Sequence, residues 1–225
     1  MRRWLSLVGV VAVLSLVYVA SANLLVNPSF EIGGTGGDNG GFGTAGGDVA
    51  AIGYWSYNSL TVEGYASHSG SNGVSFHNWW DGAYGGFGQD VVTNMNVGEV
   101  ITFSTWGLFE PNYTSSTKET WMKVEFWQGG TLAAAPQYDV YDILAANRST
   151  WNQLTFTVTN TLSGVTMIKP MIGYGNGTNL GLGPSAGLFD DLDLTITDAI
   201  PEPTIAGLLG FAGLLFCAVR RRSSK

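Results

Sequence analysis

The sequence predicts an all-β domain, a sandwich or a barrel, and three observations carry that prediction. Short segments rich in aromatic and β-branched residues recur through the middle of the chain, separated by clusters of Gly, Asn and Ser. No stretch between them keeps the 3.6-residue apolar period of a long helix. Glycine is abundant, at 32 of 225 residues, whereas there are only seven prolines, which suits many turns between strands.

The chain opens with the cationic start Met1-Arg2-Arg3. An apolar core follows from Leu5 to Val19, interrupted by Ser6 and Ser15, and ends at the small-x-small site Ala20-Ser21-Ala22. That order reads as a helical signal peptide over residues 1–22, cut before Asn23. An uncleaved signal anchor is the alternative. Asn23-Leu24-Leu25-Val26-Asn27-Pro28-Ser29-Phe30-Glu31 then begins the mature protein. Gly33 to Gly47 holds nine glycines in fifteen residues and reads as a loop. Gly53 to Tyr57 is a short strand. Gly70-Ser71-Asn72-Gly73 turns into a strand from Val74 to Trp80. Further strands are expected over Phe87–Val92, Val100–Trp106, Trp121–Gln128, Trp151–Thr159, Thr166–Gly173 and Leu188–Thr197.

Charge is distributed unevenly. All 17 acidic residues lie between Glu31 and Glu202, with only Lys118, Lys123, Arg148 and Lys169 to oppose them. This segment therefore carries −13, against −7 for the whole chain. Nucleic acid is excluded as a partner, because phosphate binding needs a basic patch. Oxygen ligands for a hard cation are plentiful. The one cysteine, Cys217, lies in the C-terminal tail, so the central domain has neither disulfides nor thiolate metal sites.

The tail has three blocks in order: Pro201-Glu202-Pro203-Thr204, the uncharged apolar run Ile205 to Val219, and the basic cluster Arg220-Arg221-Arg222. A cationic cluster after an apolar run stays on the cytoplasmic side, so everything before the run lies outside. The run reads as a short transmembrane helix. Motif, run and cluster resemble the PEP-CTERM sorting signal, here residues 199–225 with the motif at 201–204, the helix at 205–219 and the basic tail at 220–225. The resemblance implies recognition of Pro201, Glu202, Pro203 and Arg220–Arg222 by an exosortase in a Gram-negative-type bacterium rich in exopolysaccharide. It also implies transient residence in the inner membrane and delivery to the cell surface or extracellular matrix.

Between the targeting segments, residues 23–198 form one domain. The opening LLVNPSFE, the SGSNGVSFH strand, the strand around Gln89, the VGEVITFSTW strand and the closing FDDLDL follow one another in order. This series resembles the jelly-roll carbohydrate-binding modules of the galactose-binding-like superfold, close to carbohydrate-binding module family 4. The resemblance implies two antiparallel sheets packed face to face, with the first and last strands close together. On the closing strand, Leu192, Leu194 and Ile196 share one face by the period of two, and Asp191, Asp193 and Thr195 share the other. Parity places Asp190 on the apolar face, where a carboxylate needs a cation or several N–H donors. Related modules hold a structural Ca²⁺ there, and the matching positions are Glu31 and either Asp190 or Asp191. Backbone N–H groups are the alternative partners.

Aromatic residues supply the candidate sugar contacts. Val74, Phe76, Asn78 and Trp80 share one face of their strand, and Ser75, His77 and Trp79 share the other. Trp79 is the candidate exposed ring, with Trp55, Tyr57 and Tyr84 as neighbours, since sugar C–H faces stack on such rings. Packing under the glycine-rich loop is the alternative.

Several motifs fail on context. Gly33 to Asp38 matches the start of a calcium-binding nonapeptide repeat, but a single copy cannot share ions between turns. Gly183-Pro184-Ser185-Ala186-Gly187 matches GxSxG, yet a strand follows it, and His68 and His77 precede the serine. Gly41-x-Gly-x-x-Gly46 follows no strand and opens no helix. Glu110, Glu119 and Glu125 could form a glycosidase pair only if the fold set two of them across a cleft.

The expectation is a non-catalytic exported protein that associates with exopolysaccharide. A secreted glycoside hydrolase and a ligand-free structural surface protein are the alternatives.

Overall fold

A computed structural model describes residues 22–31, 50–52, 60–77, 83–114, 117–177 and 186–198. The elements in chain order are β1 (Ala50–Ile52), β2 (Leu60–Glu63), a 3₁₀ turn (Gly64–Ala66), β3 (Gly73–His77), β4 (Ala83–Gly88), β5 (Val91–Met95), β6 (Val100–Phe109), β7 (Thr120–Gln128), β8 (Thr131–Ala134), β9 (Gln137–Asp139), α1 (Tyr141–Ala146), β10 (Asn152–Thr159), β11 (Val165–Gly177) and β12 (Ala186–Thr197). Every strand pairing among them is antiparallel.

Two sheets form a jelly-roll sandwich. One has five strands in the order β10-β6-β12-β3-β2. The other has seven: the path β1-β4-β11-β7-β8, with β5 on β11 and β9 on β7. Strand alternation builds the core. On β6, buried residues alternate with half-buried ones along all ten positions, so Ile101, Phe103 and Phe109 face inward. Val74, Phe76 and Leu194 join them from the same sheet; Met122, Val124, Phe126, Ile168 and Ile172 meet them from the other. Burying each such side chain contributes about 1.5–3 kcal/mol.

The opening segment runs beside the closing strand, as the resemblance implied. Leu24 N–H donates to Leu194 O at 2.9 Å and Leu192 N–H donates to Pro28 O at 3.0 Å. The Asn23 side chain brackets the same strand, donating to Leu192 O and accepting from Leu194 N–H. Phe30 is buried edge-on against Phe87.

Four differences from the sequence reading have physical causes. The strand expected over Phe87–Val92 is two strands, broken at Gln89-Asp90. The buried Gln89 side chain turns aside there to accept the Val26 N–H at 2.9 Å. The short β8 and β9 are largely exposed and carry no alternation to read. At six residues, α1 is too short to show a helical period.

The fourth difference is a correction. Asp190 does not share a face with Leu192 and Leu194. Between Asp190↔Trp106 and Asp193↔Ser104 the β12–β6 register shifts, so β12 carries one extra residue, and Asp191 adopts φ +50. This bulge inverts parity. Phe189 faces the core before it and Leu192 after it, while Asp190 pairs with the outward-facing Trp106. Asp190 is nevertheless fully buried, because the segment from the 3₁₀ turn to Asn72 covers it. Ala66 of that turn packs with Ala186 and Leu188 in a small second cluster on the outer face, flanked by Leu108 and Trp151.

Candidate functional site

The outer face of the seven-stranded sheet carries a row that follows from strand alternation. With Met122, Val124 and Phe126 inward, Trp121, Lys123, Glu125 and Trp127 project outward. Their partners on β11 are Gly173, Met171, Lys169 and Met167, and β4 sets Gly86 beside Gly173 and Gly88 beside Met171.

Glycine on the floor lets an aromatic ring lie flat. A Cβ on Gly173 would stand 2.2 Å from Trp121 Cζ2, so the indole lies across the β11 backbone. One step further, a Cβ on Gly175 would stand 2.0 Å from Glu119 Oε2. Polar groups continue the row. Lys123 Nζ sits 4.8 Å from the Trp121 ring centroid and 2.8 Å from Glu125 Oε1. Trp127 Nε1–H donates to Glu125 Oε2 at 3.1 Å. Lys169 lies 5.7 Å from the Trp127 ring centroid and pairs with Asp90 at 2.7 Å. The result is two indoles with alternating cations and carboxylates between and beside them. Such a surface suits a hydroxylated ring: stacking on an apolar C–H face, hydrogen bonding at the rim.

Sequence reasoning missed this row. Trp121 and Trp127 lay inside a segment read simply as a strand. Their alternation with Met122, Val124 and Phe126, opposite a glycine-bearing strand, was the available signal. Among the aromatic candidates, Trp55, Tyr57 and Trp79 lie outside the described residues. Tyr84 belongs to β4, two positions from Gly86 in the same sheet. The sorting residues Pro201, Glu202, Pro203 and Arg220–Arg222 also lie outside the described residues.

The three candidate metal ligands converge on one loop. Glu31 Oε1 accepts the Ser71 and Asn72 N–H groups at 2.7 and 2.9 Å. Asp190 Oδ2 accepts those of His68 and Ser69 at 2.8 and 3.0 Å, and its Oδ1 accepts the Asp191 N–H at 2.7 Å. Asp191 accepts the Ser69 hydroxyl and meets His68 Nδ1 at 2.8 Å. The His68 ring stacks on Trp106, with centroids 4.2 Å apart and planes 12° apart, and meets Trp151 edge-on. Burial pushes the Asp190 carboxyl up to about 6, against the lowering effect of its three backbone donors. Among the described residues, no three His, Cys, Asp or Glu side chains gather closely enough to hold a metal by themselves.

Glu119 and Glu125 do not stand at glycosidase spacing. Glu110 follows β6 in the opposite sheet and accepts the Ala186 N–H at 2.7 Å. Glu119 and Glu125 are six residues apart along one extended segment, roughly 20 Å, well beyond the 5–9.5 Å such pairs need. Glu125 is also engaged by Lys123 and Trp127.

The class of fold is that of the jelly-roll carbohydrate-binding modules. A solved structure described as "Family 16 Carbohydrate Binding Module-2" superposes with a TM-score of 0.51 at 15% identity, covering 77% of this chain and 99% of that one. Two further similar structures are the CBM22-1 xylan-binding domain from Paenibacillus barcinonensis Xyn10C and TmCBM61 in complex with β-1,4-galactotriose. The first has a TM-score of 0.45 at 18% identity, covering 80% of this chain and 97% of that one. The second has a TM-score of 0.44 at 17% identity, covering 79% and 100%. No protein-family profile matches the sequence, and no curated protein matches it.

Proposed function

We propose that the domain is a non-catalytic glycan-binding module that uses the outer face of the seven-stranded sheet. The observation that carries this reading is Trp121 laid flat across Gly173, with Lys123 Nζ over its ring and the buried Glu125 paired to that lysine. The fold class supports it, as does the wide spacing of Glu119 and Glu125 along one strand segment. The ligand is an extracellular polysaccharide, and Trp55, Tyr57, Trp79 and Tyr84 remain candidates for further contacts. A panel of soluble polysaccharides tests the reading by affinity electrophoresis: retardation that Trp121→Ala removes supports it, and release of reducing ends would favour a hydrolase instead.

The targeting segments complete the proposal. Export through the signal peptide, sorting of residues 199–225 by an exosortase and residence at the cell surface or in the matrix place the module where polysaccharide is found.

Calcium is proposed as a structural ion. Glu31, Asp190 and Asp191 offer hard oxygen donors around one loop, and among the described residues no Lys or Arg acts on Asp190. These oxygens suit a Ca²⁺ ion by chemistry, although the three side chains do not gather into a metal cluster by themselves and the Asp190 oxygens accept backbone N–H groups. Glu31 and Asp190 would hold it, with the remaining ligands drawn from main-chain carbonyls and water. Bound calcium would supply the positive charge this carboxylate cluster lacks. Melting in calcium and in chelator tests it.

A further inference from the structure

The sheet edges are unequal, and the difference points to a partner. An exposed edge strand is a template for pairing with another chain, and stable monomers blunt such edges with short strands, charge, proline or bulges. The edges here mostly conform. β2 has four residues and ends on Glu63; β1 and β9 have three residues each; β8 has four, and Pro136 separates it from β9; β5 has five. β10 does not conform. Its eight residues, Asn-Gln-Leu-Thr-Phe-Thr-Val-Thr, include no charge and no proline, on a domain whose net charge is strongly negative. Its register with β6 runs unbroken from Asn152↔Gly107 to Thr159↔Val100, so no bulge bends it. Among the described residues, β6 is its only paired strand.

The side chains of β10 complement themselves. Gln153, Thr155, Thr157 and Thr159 are exposed on the outer face. Leu154, Phe156 and Val158 point to the core side, where Phe156 and Val158 are only half-buried. Tyr138, itself 39% exposed, stacks parallel to Phe156 with centroids 6.1 Å apart. A cleft of about 210 Å³, lined by Phe126, Ala134, Pro136, Val158 and Leu162, opens on the same rim.

We propose that β10 pairs antiparallel with β10 of a second copy of this chain, about a two-fold axis at Phe156. In that register Thr155 faces Thr157 of the second copy on the outer side, and Leu154 faces Val158 on the core side. Threonine pairs and apolar pairs are both favourable across antiparallel strands. An identical strand is its own complement under two-fold symmetry, which selects a second copy over an unrelated partner. The pairing joins two five-stranded sheets into one of ten strands and covers the half-buried rim at Phe156. The axis is perpendicular to the joined sheet, so both seven-stranded sheets lie on one side of it. Both Trp121 faces then point the same way. The bivalent glycan binding that follows rests on the function proposed above; the pairing itself does not.

The test uses the full-length chain in mild detergent, with Cys217→Ser so that engineered thiols are the only ones. Sedimentation equilibrium should find a dimer that tightens as salt rises, because screening relieves repulsion between two acidic domains. Thr157→Lys should give a monomer that melts where the wild-type chain does at concentrations too low for the dimer. Thr155→Cys with Thr157→Cys should cross-link into a disulfide dimer on mild oxidation, whereas either cysteine alone should not. This pair reads the register even if the lysine disturbs the strand. A wild-type chain that stays monomeric at every concentration overturns the proposal. So does a dimer that survives Thr157→Lys, or cross-linking that proceeds equally well through either single cysteine. Loss of glycan binding by Trp121→Ala with the dimer intact would leave the pairing untouched.

Discussion

Glu31 and Asp190 grip one loop from two sides: Glu31 takes the N–H groups of Ser71 and Asn72, and Asp190 takes those of His68 and Ser69. Gly70 lies between the two grips at φ +68, where an added Cβ would stand 2.4 Å from Glu31 Oε1. Gly70→Ala should therefore cost about 1–2 kcal/mol, from the left-handed backbone together with displacement of the carboxylate. Glu31→Ala should cost about 1 kcal/mol, because water replaces part of what the exposed N–H groups lose. The double variant should lose less than the sum, since both changes act on the same bonds. Thermal melts of the four proteins check this, and strict additivity would show that the two residues act separately.

Trp121→Ala should weaken polysaccharide binding on the order of tenfold, as loss of a stacked ring does. Its melting temperature should move little by comparison with Phe126→Ala. That change empties a core position exposed by only 2% and should cost about 3–5 kcal/mol. Wild-type affinity in Trp121→Ala would move the binding surface elsewhere on the domain.

Gly173→Ala probes the same platform from below. The new methyl group would occupy the place of the indole, so Trp121 must lift from the sheet. Binding should fall about as far as in Trp121→Ala, and the combined variant should be no worse than either. Isothermal titration of the three variants against the same polysaccharide measures this.

Much of this architecture was legible in the sequence, and the failures have particular causes. Strands β6, β7, β10, β11 and β12 announce themselves because each either alternates or runs apolar against a deep core. Asp190 is buried, as expected, but for another reason: a loop covers the outer face on which it lies, and neither that face nor that cover was legible. One residue of bulge at Asp191 exchanges the two sides, and periodicity has no term for an inserted residue. The Trp121 platform was hidden because its meaning depends on Gly173, about fifty positions away, across a pairing no single sequence displays. The adjacent pair Trp79-Trp80 drew attention through composition alone.

Stability should depend on pH in a direction that reports the ion. Asp190 titrates at about 6 when folded, above its ordinary 3.8, so the folded state holds this proton more tightly. In chelator, its contribution is fully present below pH 4 and is lost as pH rises from about 4 through 6. A bound Ca²⁺ favours the ionised carboxylate and pulls its titration down, so with calcium the loss between about pH 4 and 6 should shrink or disappear. Melting temperatures measured across this range should therefore diverge, the calcium curve gaining on the chelator curve as pH rises. Superimposable curves would dispose of the ion and leave Asp190 to its backbone donors.

Processing gives the remaining prediction. Intact mass of the surface-extracted protein should lack residues 1–22 and, in a host with an exosortase, the basic end Arg220–Arg222 as well. A mature form that keeps Arg220–Arg222 in such a host would make the tail a plain anchor.

The hydrogen bonds between the opening segment and β12 have a mechanical consequence. Leu24 meets Leu194 while Pro28 meets Leu192, so the two segments run in opposite directions, and the chain enters and leaves the domain at one pole. If the proposed leader and tail both enter the bilayer, the precursor would hang from that pole alone. Neither attachment would have to cross the folded body, and neither cut would pull on the sandwich. The domain could thus fold fully while still doubly moored, and be freed at one end without disturbing the other.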